Sequence, residues 1–300
     1  MNLLSKARSH ANMMKSAGSA VAKCVSAPQM SAMRILSTAA LCLLIAAASQ
    51  TSASATVSDW VDVEGGRVRL VTAGAPDASG MLQGALEIDL HPGWKTYWRD
   101  PGDAGVPPQI DVSRSINVTA VEMRFPAPER FDDGFSKWAG YKHPVAFPVN
   151  FTLKAPGEPT QIEADVFLGI CETICIPVKG SFALDPANDP DNPEDEALVA
   201  AAFETLPEAA RPDFGVTVRT TEDKQLVVEA VLPGDAKSAE FFVAGDQGYM
   251  FGTPVRAEND GTTVFTVPIL QRPDAKPAAG ALHYTLSTAA GAVEGSLPYP

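Results

Sequence analysis

Cys171 and Cys175 lie four residues apart in the block Phe167-Leu168-Gly169-Ile170-Cys171-Glu172-Thr173-Ile174-Cys175-Ile176-Pro177-Val178. In one extended strand their α-carbons would stand roughly 13 Å apart, at about 3.3 Å per residue. A disulfide tolerates only about 4.4–6.8 Å. Bonding the pair therefore requires a turn at 172–174. Strand-like runs on both sides favour a hairpin with the cysteines facing each other at its tip, although the loop lacks the glycine that three-residue hairpins prefer. A single helical turn, which also brings positions i and i+4 together, meets the same distance. Three chemistries suit such a pair: dithiol–disulfide exchange, an inert structural bond, or a copper(I) site on two thiolates. The structural bond gains little here, because a short closed loop removes little chain entropy. Tetrahedral zinc needs two further ligands, and after residue 55 the histidines are His91, His143 and His283. No metal and no cofactor are expected.

These two cysteines are the ones left after an expected export step. Residues 1–55 contain Lys6, Arg8, Lys15, Lys23 and Arg34 but no Asp or Glu. After Arg34 comes an apolar run ending in Ala46-Ala47-Ala48, and then Ala53-Ser54-Ala55, the small-x-small pattern of a cleavage site. The apolar run is shorter than the roughly 20 residues that span a bilayer. A cleaved signal peptide over 1–55 is expected, with either Met30 or Met33 as an alternative start. Cys24 and Cys42 would leave with it. Removing those five cations from the 23 Lys and Arg leaves 18 against 36 Asp and Glu, a charge of about −18 in place of −13. That balance argues against a nucleic-acid surface, which needs clustered cations. No later stretch has the length and apolarity of a membrane span, so the mature protein is not expected to cross a membrane.

The elements that must position the pair read as strands. Short alternating runs separated by Gly and Pro occur at 61–63, 67–71, 86–90, 110–112, 118–125, 145–153, 162–170 and 176–184, the pattern of an antiparallel β-sandwich. Pro148 within one run suggests an edge strand or a bulge. Residues 186–212 read as an acidic linker and a short helix, with Glu194, Asp195 and Glu196 at the positive end of its dipole. Further strands at 216–218, 226–230, 240–243, 263–267 and 282–286 imply a second, smaller β domain over 213–300. The fold class expected is all-β, with the cysteine-bearing sandwich over 56–185.

Four segments in order carry a resemblance: His91-Pro92-Gly93-Trp94-Lys95-Thr96-Tyr97-Trp98-Arg99-Asp100-Pro101-Gly102-Asp103-Ala104-Gly105, then Phe125-Pro126-Ala127-Pro128-Glu129-Arg130-Phe131, then Gly140-Tyr141-Lys142-His143-Pro144-Val145, then 171–177. Together they resemble the N-terminal periplasmic domain of the thiol:disulfide interchange protein DsbD and its ScsB-type relatives, over roughly residues 80–185. The resemblance implies an immunoglobulin-like sandwich that takes electrons from a membrane partner and passes them to oxidised periplasmic thioredoxin-like proteins. It implies that Cys175 exchanges with partners and Cys171 resolves. It also implies an aromatic cap over the pair, placed by position at 133–138, with Phe135 the shield, Tyr97 beside it and Trp138 closing the segment. Core or interface packing is the plain alternative for these rings, and for Trp94 and Trp98. The three-residue spacing departs from the best-known DsbD domain and matches the ScsB type. The chain shows neither the transmembrane electron-transfer segment nor the thioredoxin-like domain of DsbD, so a separately encoded membrane donor is expected. The rival reading is an immunoglobulin-like periplasmic binding module with a structural disulfide, in copper handling or cytochrome c maturation.

Overall fold

The computed structural model describes residues 56–300 apart from 103, 104, 133, 135, 223, 235, 246 and 247. The expected signal peptide and Phe135 therefore lie outside the described residues. In chain order the strands are β1 Val61–Val63, β2 Gly66–Ala73, β3 Met81–Leu90, β4 Lys95–Gly102, β5 Gln109–Asp111, β6 Val118–Met123, β7 Glu129–Asp132, β8 Lys137–Tyr141, β9 Val145–Leu153, β10 Ile162–Cys171 and β11 Cys175–Leu184. Helix α1 (Pro193–Glu204) follows. Then come β12 Glu208–Ala209, β13 Gly215–Glu222, β14 Gln225–Val231, β15 Glu240–Ala244, β16 Met250–Phe251, β17 Val255–Asn259, β18 Thr262–Gln271, β19 Leu282–Thr288 and β20 Gly291–Leu297. The fold is all-β and immunoglobulin-like.

The first two sheets run β1-β2-β3-β9-β6 and β11-β10-β4-β8-β7, with β5 also pairing β10. Their inner faces share one core, built from Leu70, Leu86, Phe147 and Phe151 on one side and Ile162, Leu168, Ile170, Phe182 and Trp98 on the other. Period-two alternation places Ile162, Ala164, Val166, Leu168 and Ile170 inward, so Gly169 and Cys171 point to the outer face. That parity decides where the cysteine pair sits.

Pro148 was expected on an edge or at a bulge, yet β9 lies between β3 and β6. The last ladder pair of β6 is Met123 with Val149, and beyond it Arg124 donates its N–H to the Pro148 carbonyl at 2.8 Å. Proline cannot return the reciprocal bond to the Arg124 carbonyl, so one ladder bond is missing at this point and β6 ends at Met123.

Helix α1 begins where Asn192 accepts from the backbone of Glu194 and Asp195 at 3.0 and 3.2 Å, with Pro193 in the first turn. Its Val199 and Ala202 cover Val71 and Ala85 on the outer face of the first sheet. The later strands form sheets β12-β20-β19-β15 and β13-β14-β18-β16, with β17 on β18. Strand β15 serves two cores: Phe242 and Ala244 join the first, while Phe241 and Val243 join the second. Trp98 meets Phe242 edge-on at 5.8 Å. Arg130 donates to the Phe241 carbonyl at 2.9 Å, and the Gly245 N–H donates to Asp100 at 2.7 Å. Arg124 pairs with Glu294. All described residues belong to one compact unit.

Candidate functional site: a disulfide on the outer face of a sheet

The cysteines occupy a hairpin tip. Strands β10 and β11 pair continuously from Ile162 opposite Leu184 to Cys171 opposite Cys175, leaving Glu172, Thr173 and Ile174 as the loop. Facing positions at the end of the ladder put the two α-carbons 4.2 Å apart, and the sulfurs are bonded. The turn is closed by the Glu172 N–H, which donates to the Ile174 carbonyl at 3.3 Å.

The two halves of the bond have different surroundings. Cys171 is 1% exposed, whereas Cys175 is exposed and follows Ile174, itself 72% exposed. The main core does not bury Cys171, which faces away from it. A satellite cluster of Tyr97, Trp138 and Cys171, with Phe131 against it, does so on the outer face. Each member reaches that face by strand parity. Tyr97 is next to the inward Trp98 on β4, and Trp138 is next to the inward Ala139 on β8.

Geometry within the cluster is tight. The Tyr97 hydroxyl lies 3.0 Å from Cys171 Sγ and 3.1 Å from Cys175 Sγ. Its ring fits between two glycines: a Cβ on Gly105 would come within 2.7 Å of ring atoms, and one on Gly169 within 3.3 Å. Trp138 meets Tyr97 edge-on at 5.8 Å and 78°, and Phe131 stacks on Trp138 at 4.2 Å. Lysines bracket the stack, with Lys95 Nζ 4.4 Å from the Trp138 ring and Lys142 Nζ 3.9 Å from the Phe131 ring, contacts favoured by the ring quadrupole. Lys95 also lies directly opposite Cys171 in the ladder.

Of the site residues expected from sequence, the structure brings together Cys171, Cys175, Tyr97 and Trp138. Trp138 was placed in a cap loop but lies within β8 and is 2% exposed. Trp94 and Trp98 pack with the main core, and Trp98 is 2% exposed. Sequence reasoning missed Gly105, Gly169, Lys95, Lys142 and Phe131. The alternation of Lys95 and Tyr97 with Thr96 and Trp98 is a strand pattern, and it could have placed Lys95 and Tyr97 on one face.

Comparison with known proteins gives this arrangement a context. Residues 70–186 match the family model for the thiol:disulfide interchange protein DsbD, N-terminal. These residues form a DsbD/ScsB-like N-terminal domain. A solved structure, the N-terminal periplasmic domain of ScsB from Proteus mirabilis, aligns with a TM-score of 0.64 at 23% identity, covering 82% of this chain and 100% of that one. At that identity the likeness is one of fold, and it extends beyond the DsbD-type segment. The C-terminal domain of the Streptococcus pyogenes antigen I/II-family protein AspA also aligns, with 11% identity over 81% of this chain and 98% of that one, but its TM-score of 0.16 carries no weight. No curated protein matches the chain. The DsbD-type domain with its bonded pair is a thiol:disulfide interchange domain.

Proposed function

We propose that this chain is an exported periplasmic thiol:disulfide exchange protein. In this reading the Cys171–Cys175 pair relays electrons from a separate membrane donor to oxidised thioredoxin-like proteins of the periplasm. The division expected from sequence then assigns the chemistry to 56–185, with 186–212 as linker and 213–300 as a supporting β domain. Among the described residues no helix is long and apolar enough to cross a membrane, and the donor of this proposal is a different chain.

The observation that carries the reading is the asymmetry of the pair, with Cys175 exposed and Cys171 buried. A donor thiolate attacks Sγ of Cys175, the bond to Sγ of Cys171 breaks, and its electron pair stays on Cys171 as a thiolate. The donor's second thiol loses its proton and attacks the mixed disulfide. This releases Cys175, and both protein thiols take up protons from water. The net change is one donor dithiol oxidised and one protein disulfide reduced. The same steps run in reverse deliver the electrons to an oxidised acceptor. Tyr97 and Trp138 shield the bond until a partner docks, and the family resemblance adds Phe135 to that role.

Capture tests this directly. In the exported chain, Cys171→Ser removes the resolving thiol and is expected to accumulate reductant-sensitive adducts through Cys175, whereas Cys175→Ser is not. Equal capture by both variants, or a reduction potential well below about −300 mV, which is typical of structural bonds, would defeat the proposal.

A further inference from the structure

We infer that Tyr97 is a catalytic residue of the exchange: its hydroxyl donates a hydrogen bond to the Cys171 thiolate as that sulfur leaves Cys175. The inference rests on the exchange function proposed above and adds a chemical role to Tyr97 beyond shielding.

Attack on the exposed Cys175 makes Cys171 the leaving group, and Cys171 is 1% exposed. A thiolate formed there has lost its water, and desolvation disfavours the charged form. A poorly stabilised leaving thiolate departs slowly. The Tyr97 hydroxyl already stands 3.0 Å from that sulfur and 3.1 Å from the sulfur under attack. A donor in place before charge develops needs no reorganisation when it develops. The ring cannot drift easily, because Gly105 and Gly169 hold its two sides and Trp138 abuts it edge-on.

A shield needs only the ring. A phenylalanine would cover the sulfurs as well, so the hydroxyl separates the two roles. Among the described residues, two charged groups flank the pair: Lys95, opposite Cys171 on β4, and Glu172, adjacent to it in the loop. Both remain in the variants below. The electron count is that of the exchange itself: the incoming thiolate forms one S–S bond, the Cys171–Cys175 bond breaks, and the pair stays on Cys171. Tyr97 keeps its proton throughout and only shares it.

The test reduces the oxidised full mature chain with dithiothreitol in a stopped-flow instrument, comparing wild type with Tyr97→Phe across pH. A hydrogen bond to a charged group has a worth that sets the expected loss at about ten-fold in rate, with the unfolding midpoint little changed. In a Cys175→Ser background, the Cys171 thiol is expected to titrate at higher pH when Tyr97→Phe is added. Equal rates with an unchanged titration would overturn the inference and leave Tyr97 as packing alone. If the phenylalanine variant folds poorly, an ortho-fluorinated tyrosine placed at position 97 keeps the shape and strengthens the donor. Faster reduction then supports the role, and equal or slower reduction refutes it. Partner capture by Cys171→Ser does not depend on this result, so the exchange function and the role of Tyr97 can fail separately.

Discussion

Two tyrosines in this molecule use the same packing device with different outcomes. Tyr284 on β19 lies opposite Gly295 on β20, where an added Cβ would come within 2.7 Å of its ring. Tyr97 on β4 lies against Gly169 on β10, where an added Cβ would come within 3.3 Å. In each pair a strand glycine clears a flat seat for an aromatic ring. Tyr284 faces inward, packs beside Phe241 at 5.7 Å, and has its phenol pushed up by desolvation, with the Val216 backbone as an opposing influence. Tyr97 faces outward and meets a disulfide. The seat is the same, and the face of the sheet decides whether the hydroxyl has chemistry to do.

The largest effects should come from removing the aromatic partner of each tyrosine. Trp138→Ala and Phe241→Ala each delete a buried ring and are expected to cost about 3–5 kcal/mol, read by chemical denaturation. Only Trp138→Ala should also change the rate at which dithiothreitol opens Cys171–Cys175, because only Trp138 abuts Tyr97 beside the sulfurs. If Phe241→Ala altered that rate equally, the outer cluster would not be independent of the second core.

Smaller effects should come from filling the seats. Gly295→Ala and Gly169→Ala overpack their sites, at an expected cost of about 1–3 kcal/mol each. At Gly169 the new methyl meets Val106 Cβ at 2.9 Å as well as the Tyr97 ring, so the hydroxyl should move off the sulfurs. Reduction kinetics should then separate two variants of comparable stability. Unchanged kinetics in Gly169→Ala would mean that the position of the hydroxyl is immaterial.

Much of the scaffold was legible because period-two alternation is strong where one face is apolar, as along Ile162 to Ile170, and because Asn192-Pro193 followed by acids marks a helix start. A turn was legible from distance alone, since a bond over four residues forces one, and the strand-like runs on both sides favoured a hairpin over the helical turn that the distance also allows. Strands β4 and β8 were harder to see. In Lys95-Thr96-Tyr97-Trp98 both faces carry bulky rings, and in Lys137-Trp138-Ala139 the larger apolar group faces the outer cluster while small Ala139 faces the core, so hydrophobic alternation is erased where the site lies. The contact between Tyr97 and Cys171 spans 74 residues, and no local signal encodes it. Pro148 misled because an interior strand can accept proline where its neighbour's ladder ends, at the loss of a single bond.

The smallest expected effect is one of sign, and it again contrasts a seam with a surface. Asp100, partly buried where β4 meets the loop after β15, has its carboxyl raised chiefly by desolvation, opposed by the N–H groups of Gly245 and Gly102. Asp165, exposed on β10, is lowered by hydrogen bonds from Ser181 and Arg114. A raised acid favours folding below its ordinary carboxylate range, and that contribution is lost as pH rises through the folded value. A lowered acid contributes above the ordinary range, and that is lost as pH falls through the depressed value. Asp100→Asn keeps an oxygen to accept from Gly245, gives up the longer, exposed bond from Gly102 at 3.2 Å, and should stabilise the protein at neutral pH while doing little in acid. Asp165→Asn should weaken it slightly at neutral pH, discounted by solvent screening, and do little in acid. Urea unfolding of both variants at neutral and acid pH reads the two signs. Destabilisation by Asp100→Asn at neutral pH would mean that the charged hydrogen bond from Gly245 outweighs the desolvation it accompanies, making this carboxylate a clamp between the two β regions.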